Sequence, residues 1–436
     1  MCNNNYKGGE RMKSFYKMVI AVVALLSVAS MGFADTYNDH VRVAANGKGD
    51  LLVYPFYVAA NGWQSQIDLV NTSSRSVVAR LSVKSYAYSN EVLDFLVYLS
   101  PYDMWRGTLM VNSTYGSQPI MYSTDSSAPS SNSSVSYFAT STNPMAQPLS
   151  TDICAGDSNQ LGYVVVVEAW SGNVAFAAGI TKEQRGQAIR AAYESTAGGY
   201  LKTDTVDALH GNMVVSFPAG GWLASRDAVA FANYKNQAKL FTAGGATPIG
   251  VSAYNSVQEI DAALAKKTLA LPYDQNSTAS TIQVSTFPTK QTATTDCKTF
   301  TYQSPFFPVS GSVVLQSGDV KQYDNEEQTS ASSPFSPGGT TVKLPNEVNF
   351  LAIAPTFSFG WIQYTFTETT ANFNYSGQPL NYTGAPVIPT VVKILGGLMT
   401  LTNGAWDDGV VSGVVGGVPV VLNGYQYSSS YAPTTN

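Results

Sequence analysis

Two histidines, His40 and His210, stand in the 436-residue chain, with no His-x-x-x-His, no His-Glu pair and no Cys/His cluster. That removes the usual ligand sets of catalytic and structural zinc. His40 falls near the expected mature N-terminus and reads as a solvated tail residue. Gly156-Asp157-Ser158, with His210, contains the residue types of a serine nucleophile and its base. The block follows Cys154 in a polar loop of a β-rich chain, however, and no Gly-x-Ser-x-Gly elbow occurs. A turn and an ordinary structural histidine are the reading these residues support. No catalytic residue is assigned, and an undetected hydrolase is the least favoured class.

Paired carboxylates offer a second chemistry. Asp324, Glu326 and Glu327 cluster, and Asp407 and Asp408 follow Trp406. Glycosidases need two carboxyls flanking a sugar at a separation that sequence does not measure. Hard oxygen ligands also suit Ca²⁺, although neither cluster has the spacing of a calcium loop. Solvated turns are the first reading of both clusters, calcium the second and acid/base catalysis the third; no other cofactor is implied. The six tryptophans (Trp63, Trp105, Trp170, Trp222, Trp361 and Trp406) could include a sugar-stacking platform, but in a β protein they more often pack the core.

The N-terminal segment carries an address. Lys13 and Lys17 precede an apolar run at residues 18–29, and Gly32 and Ala34 are small residues at −3 and −1 of a cleavage point before Asp35. Residues 1–34 are therefore expected to be a signal peptide, with Met12 as the true start. The run is shorter than the ~20 apolar residues that span a bilayer, so no transmembrane anchor is expected after cleavage. An extracellular or cell-envelope location follows. Cys154 and Cys297 survive cleavage, and an oxidising compartment makes one disulfide the simplest expectation.

Cleavage removes four of the 24 basic and one of the 29 acidic residues, which leaves 20 against 28 and a net charge of −8. No Lys/Arg cluster remains, so binding to phosphate backbones or to anionic lipid is not expected. Only 12% of residues are charged while 44% are apolar, a balance that excludes intrinsic disorder.

The elements that would position any site read as strand after strand. Residues 50–58, 66–70, 77–86, 93–99 and 161–170 are β-rich runs separated by Asn, Gly, Ser and Pro turns. In the third run Ala79, Leu81 and Val83 alternate with Arg80, Ser82 and Lys84, which predicts one buried face. Residues 123–136, rich in serine, should form a mobile surface loop. Helices are expected at 182–197 and, behind the Ser256-x-x-Glu259 capping box, at 257–269. The expected fold is mainly β: antiparallel β-sandwich domains with a few short helices. One β-rich region covers 35–327, and a polar loop at 328–341 separates it from a C-terminal sandwich at 342–436. No fixed-period repeat is visible, which argues against solenoids and propellers. An outer-membrane barrel is not expected, because amphipathic ten-residue strands do not run throughout.

Several stretches together resemble a family of uncharacterised exported bacterial proteins. They are Val53-Tyr-Pro-Phe-Tyr57, Val70-Asn-Thr-Ser73, the run from Glu91 to Trp105, Gly162-Tyr-Val164 with Glu168, Phe287-Pro-Thr-Lys290, Tyr323-Asp-Asn-Glu-Glu327, Phe335-Ser-Pro337 and Glu347-Val-Asn349. The resemblance spans nearly the whole mature chain. It implies export and an envelope or extracellular setting, and it brings no catalytic residue. Asn325 stands where the family pattern has a basic residue, so no site is read into that acidic stretch.

A non-enzymatic surface or extracellular structural or adhesive protein, such as a subunit of a layer, fibre or matrix, is the favoured function. Its partners would be further copies or matrix components. A secreted carbohydrate- or ligand-binding module is the alternative. The Val- and Gly-rich segment 409–422 is uncharged and could join subunits as an exposed edge or lie in the core as a hairpin.

Overall fold

In the computed structural model, the residues described are 41–195, 206–234, 256–293, 300–303, 313–316, 319–324, 326, 329–330, 341–353, 355–366, 370–375, 378–396, 398–408, 410–415 and 418–423. The chain is mainly β, and every strand pairing among these residues is antiparallel. Sheet I runs in the order Arg42–Val43, Val229–Ala232, Leu51–Val58, Leu161–Gly172, Ser76–Ser85, Glu91–Leu99. Sheet II runs Trp222–Asp227, Leu209–Phe217, Gln64–Asn71, Met104–Val111, Pro119–Ser123, Met145–Pro148. Sheet III is built on Ala265–Asp274, which pairs with Phe359–Thr365, Ala385–Pro386 and Ala405–Asp408. Beyond Phe359–Thr365 it continues through Val320–Tyr323 to Thr329–Ser330. Sheet IV runs Val348–Ala352, Ala279–Thr286, Ile388–Leu395, Leu398–Thr402. Sheet V runs Thr370–Tyr375, Gln378–Thr383, Val410–Val415, Val418–Asn423, two hairpins set side by side.

The larger sheets are set as a four-blade, propeller-like ring and not as the stacked sandwich expected from strand spacing. The links between blades are specific. Sheets I and II share a core in which the Tyr54 hydroxyl donates to the Asp68 carbonyl and Phe95 meets Trp105 edge-on. Arg226 of sheet II donates to the Pro389 carbonyl of sheet IV. Sheet IV meets sheet III through the Lys393–Asp274 ion pair at 2.6 Å and the Tyr364–Gln283 hydrogen bond. It meets sheet I through Thr286, whose hydroxyl donates to the Pro55 carbonyl, and through the Phe56–Phe350 ring pair. Helix α2, Ser256–Leu264, joins sheets I and III: the Val41 amide donates to Glu259, and Leu264 accepts from Val387. Blades of six, six, six and four strands in unlike orders leave no fixed sequence period, which is why the repeat test missed the ring. Sheets III and IV draw strands from both sides of residues 328–341.

Three local expectations change. The Ser76–Ser85 strand is buried along its whole length, so Arg80, Ser82 and Lys84 are interior as well as Ala79, Leu81 and Val83. Polar residues at alternate positions signal water only where nothing covers that face and no counter-charges wait there. Here Glu91 and Asp94 of the neighbouring strand supply those charges. The second helix ends at Leu264 and passes directly into the Ala265–Asp274 strand, so residues 265–269 are strand and not helix. Pairing with three partner strands overrides the helical pattern that Lys267 seemed to extend. Within 123–136, residues 123, 127, 128 and 130 are buried, and the exposed residues are 124 and a tip at 131–135. The Ser127 carbonyl accepts from the Tyr98 amide, and the Ala128 carbonyl from Ala139, so backbone pairing orders a segment whose side chains alone offer little to bury.

Helix α1, Lys182–Ser195, matches its expected range as far as residues are described. Its start is fixed by a reciprocal cap that sequence reading overlooked. Thr181 Oγ1 accepts from the Gln184 amide at 3.2 Å, and Gln184 Oε1 accepts from the Thr181 amide at 2.8 Å.

Candidate functional site

The described residues concentrate their unusual chemistry where sheet I meets sheet IV. The Leu51–Val58, Leu161–Gly172 and Ser76–Ser85 strands lie side by side there, and their pairing needs a residue without Cβ at 162. A Cβ on Gly162 would stand 1.9 Å from the Lys84 carbonyl oxygen. Next to it, the Tyr163 hydroxyl meets Ser89 Oγ at 2.6 Å and donates to the Pro288 carbonyl at 3.2 Å. From sheet IV, the Phe287 amide donates to the Glu347 carbonyl, and the Val348 amide reaches across to the Tyr86 carbonyl. Four stretches distant in sequence thus converge in space: Val53 to Tyr57, Gly162 to Val164, Phe287 to Lys290 and Glu347 to Asn349.

Inside this junction sit two buried ionisable side chains, Lys290 at 1% and Glu347 at 0% exposure. The Lys290 amine donates to the Pro345 carbonyl. Neither carboxyl oxygen of Glu347 has a hydrogen-bond partner among the described residues. Burial holds the Glu347 carboxyl well above the ordinary carboxylate range; Lys290 opposes that shift and Asp157 reinforces it. Burial likewise lowers Lys290, against the pull of Glu347. Asp157 itself is held by Ser85 Oγ and by the amides of Ala87 and Ser158.

A second ionic group lies on the same strand of sheet I. Arg80 meets Glu91 and Asp94 at 2.9 Å each, and Lys84 meets Glu91 at 3.0 Å. Burial pushes Glu91 up, but Lys84 and Arg80 outweigh it and hold the carboxyl below its usual value. These groups neutralise one another, and the arrangement reads as a structural network rather than a reacting one.

The residues singled out from sequence are dispersed. Ser158 lies in the turn before Leu161–Gly172, where its hydroxyl accepts from the Gln160 amide. His210 lies on sheet II, its Nδ1 3.0 Å from the Gly47 carbonyl and its Nε2 3.9 Å from Asp227. Asp324 and Glu326 share a turn in which the Glu326 amide donates to Asp324. Asp407 and Asp408 lie on the Ala405–Asp408 strand, and two strands of sheet III stand between it and Val320–Tyr323. Glu327 lies outside the described residues, and among those described no group of three His, Cys, Asp or Glu side chains is placed to hold a metal. Cys154 is buried at 4% exposure, and Cys297 lies outside the described residues. His40 and the cleavage residues Ala34 and Asp35 lie outside them too.

The tryptophans divide. Trp105 is fully buried, Trp170 packs on Tyr193, and Trp361 stacks on Tyr323 with centroids 4.0 Å apart. Trp63, Phe217 and Trp222 come from the ends of three adjacent strands of sheet II and form a half-buried triad with centroids 5.2–5.8 Å apart. No protein-family model, curated protein or solved structure matches this chain.

The segment 409–422 forms neither a ring blade nor a single edge. Val410–Val415 is an inner strand of sheet V, paired with Gln378–Thr383 and with Val418–Asn423. Val418–Asn423 pairs on one side only among the described residues, as does Thr370–Tyr375 at the opposite margin. No helix among the described residues is long and apolar enough to cross a membrane.

Proposed function

We propose that the chain is an exported, non-enzymatic structural subunit of a surface layer, fibre or matrix, joined to its neighbours by strand addition on sheet V. The observation that supports this most is the pair of margins on that sheet that have no further strand beside them among the described residues. Val418–Asn423 has the sequence Val-Pro-Val-Val-Leu-Asn, and Thr370–Tyr375 has Thr-Ala-Asn-Phe-Asn-Tyr. Neither contains a charge; exposed sheet margins are normally blunted with charge or proline, and these two hold a single proline, Pro419. Pairing Val418–Asn423 of one copy with Thr370–Tyr375 of the next is a head-to-tail contact, which grows an open polymer and not a closed dimer. The test is lysine at Val420 and Val421 together, with assembly read by light scattering. Loss of assembly at unchanged melting temperature is expected; undiminished assembly refutes the contact.

A carbohydrate-binding reading has one observation in its favour, the Trp63–Phe217–Trp222 triad. No charged residue lies in the segments 61–64 and 216–223 that carry it, which suits neutral sugar rings over anionic ligands. Tryptophan fluorescence titrated with cello-, malto- and chito-hexaose tests it. Saturable change lost in Trp222→Ala supports it, and no change at millimolar sugar removes it.

A further inference from the structure

The Glu347 junction carries an inference independent of how copies assemble. We propose that Glu347 is an acid-closed latch: uncharged, it lets the margins of sheets I and IV close over it, and loss of its proton to solvent loosens them.

The geometry carries the argument. Glu347 follows Pro345 into the Val348–Ala352 strand and is fully buried, with both carboxyl oxygens lacking hydrogen-bond partners among the described residues. A carboxylate so placed would be desolvated at a cost that Lys290 and the backbone offset only in part, whereas a carboxylic acid loses much less. Among the described residues, three ionisable groups face it. Lys290 comes from the turn after Ala279–Thr286, Asp157 from the turn before Leu161–Gly172, and Tyr163 from that strand. Lys290 is the cation among them, and its amine donates to the Pro345 carbonyl and makes no hydrogen bond to the Glu347 carboxyl. Asp157 adds a like charge. The Val348 amide, next in sequence to Glu347, makes the backbone bond to Tyr86 that crosses between the blades, while the Phe287-to-Glu347 bond extends the sheet IV pairing beside it, so opening the latch acts directly on the contact between blades.

The direction of the pH effect follows. Glu347 has a folded-state value raised above its ordinary 4.5. Its contribution is therefore fully present below about pH 4.5 and is lost as pH rises toward the raised folded-state value. The experiment is urea unfolding of the full chain between about pH 4.5 and about pH 9, for wild type and Glu347→Gln. The ratio of their unfolding constants should rise with pH, by up to tenfold per pH unit for one proton. In Lys290→Met the rise should continue to higher pH, because the opposing cation is gone. Infrared spectra provide a readout that does not depend on refolding of the glutamine variant: on raising the pH above the ordinary 4.5, the wild type should keep a protonated-carboxyl band. A ratio that stays flat or falls with pH, or the absence of that band, overturns the latch.

Discussion

The Tyr163 hydroxyl donates to the Pro288 carbonyl across the boundary between two blades, from the central Leu161–Gly172 strand of sheet I to the turn that follows the Ala279–Thr286 strand of sheet IV. Its oxygen also meets Ser89 Oγ at 2.6 Å. Tyr163 is 1% exposed, so water does not replace either partner easily. Tyr163→Phe keeps the ring and deletes both bonds, leaving Pro288 and Ser89 unmatched. The expected loss is about 1–3 kcal/mol of unfolding free energy, measured by urea denaturation. An unchanged midpoint would mean that the Tyr163 bonds add nothing to the contact between the blades.

Gly162 tests the same junction sterically. Its missing side chain lets the Leu161–Gly172 strand approach Lys84, whose carbonyl would lie 1.9 Å from an added Cβ. The obstacle is backbone, and the Tyr57 ring stands 2.8 Å away on another side. Gly162→Ala should destabilise by at least about 2 kcal/mol. Gly116, where nothing lies within 4 Å, is the control for conformational cost alone.

Glu91 gives a pH effect of opposite sign to Glu347. Its folded-state value is depressed below 4.5, so the stability it adds is present above that pH and is lost on acidification through the lower folded-state value. Glu91→Gln should remove that acid-side slope. It should also cost about 3–5 kcal/mol at neutral pH, since it leaves Arg80 and Lys84, at 3% and 2% exposure, short of a counter-charge. Unfolding followed by circular dichroism between about pH 3 and about pH 7 checks both.

Much of the architecture was legible because β periodicity and turn residues are local signals. Leu51–Val58, Gln64–Asn71, Ser76–Ser85, Glu91–Leu99 and Leu161–Gly172 lie within two residues of their expected bounds. What was not legible depends on partners distant in sequence. Arg80 and Lys84 look solvated until Glu91 and Asp94 are seen beside them. Lys290 and Glu347 are 57 positions apart and look like ordinary charges beside turns. Only the resemblance pointed to those stretches, and it assigned them no role. Val411 and Val415, natural targets for blocking an exposed edge, lie on the inner Val410–Val415 strand, so lysine there would test folding rather than assembly.

Export and processing make a joint prediction. The secreted chain should begin at Asp35, and its intact mass should be two hydrogens below that of the fully reduced chain. Closing a loop of about 140 residues would contribute on the order of 4–5 kcal/mol. Alkylation of both Cys154 and Cys297 in the native, unreduced protein would exclude the bridge, and a retained residue 18–29 segment would exclude the cleavage.

Assembly through sheet V is tested most directly by amide hydrogen exchange, comparing monomer with assembled material residue by residue. Free strand margins exchange quickly, and pairing protects them. Protection should increase at Val418–Asn423 and Thr370–Tyr375 together, while the inner Val410–Val415 strand changes little. Assembled material in which those two strands exchange as fast as in the monomer, with protection appearing elsewhere, would contradict the account.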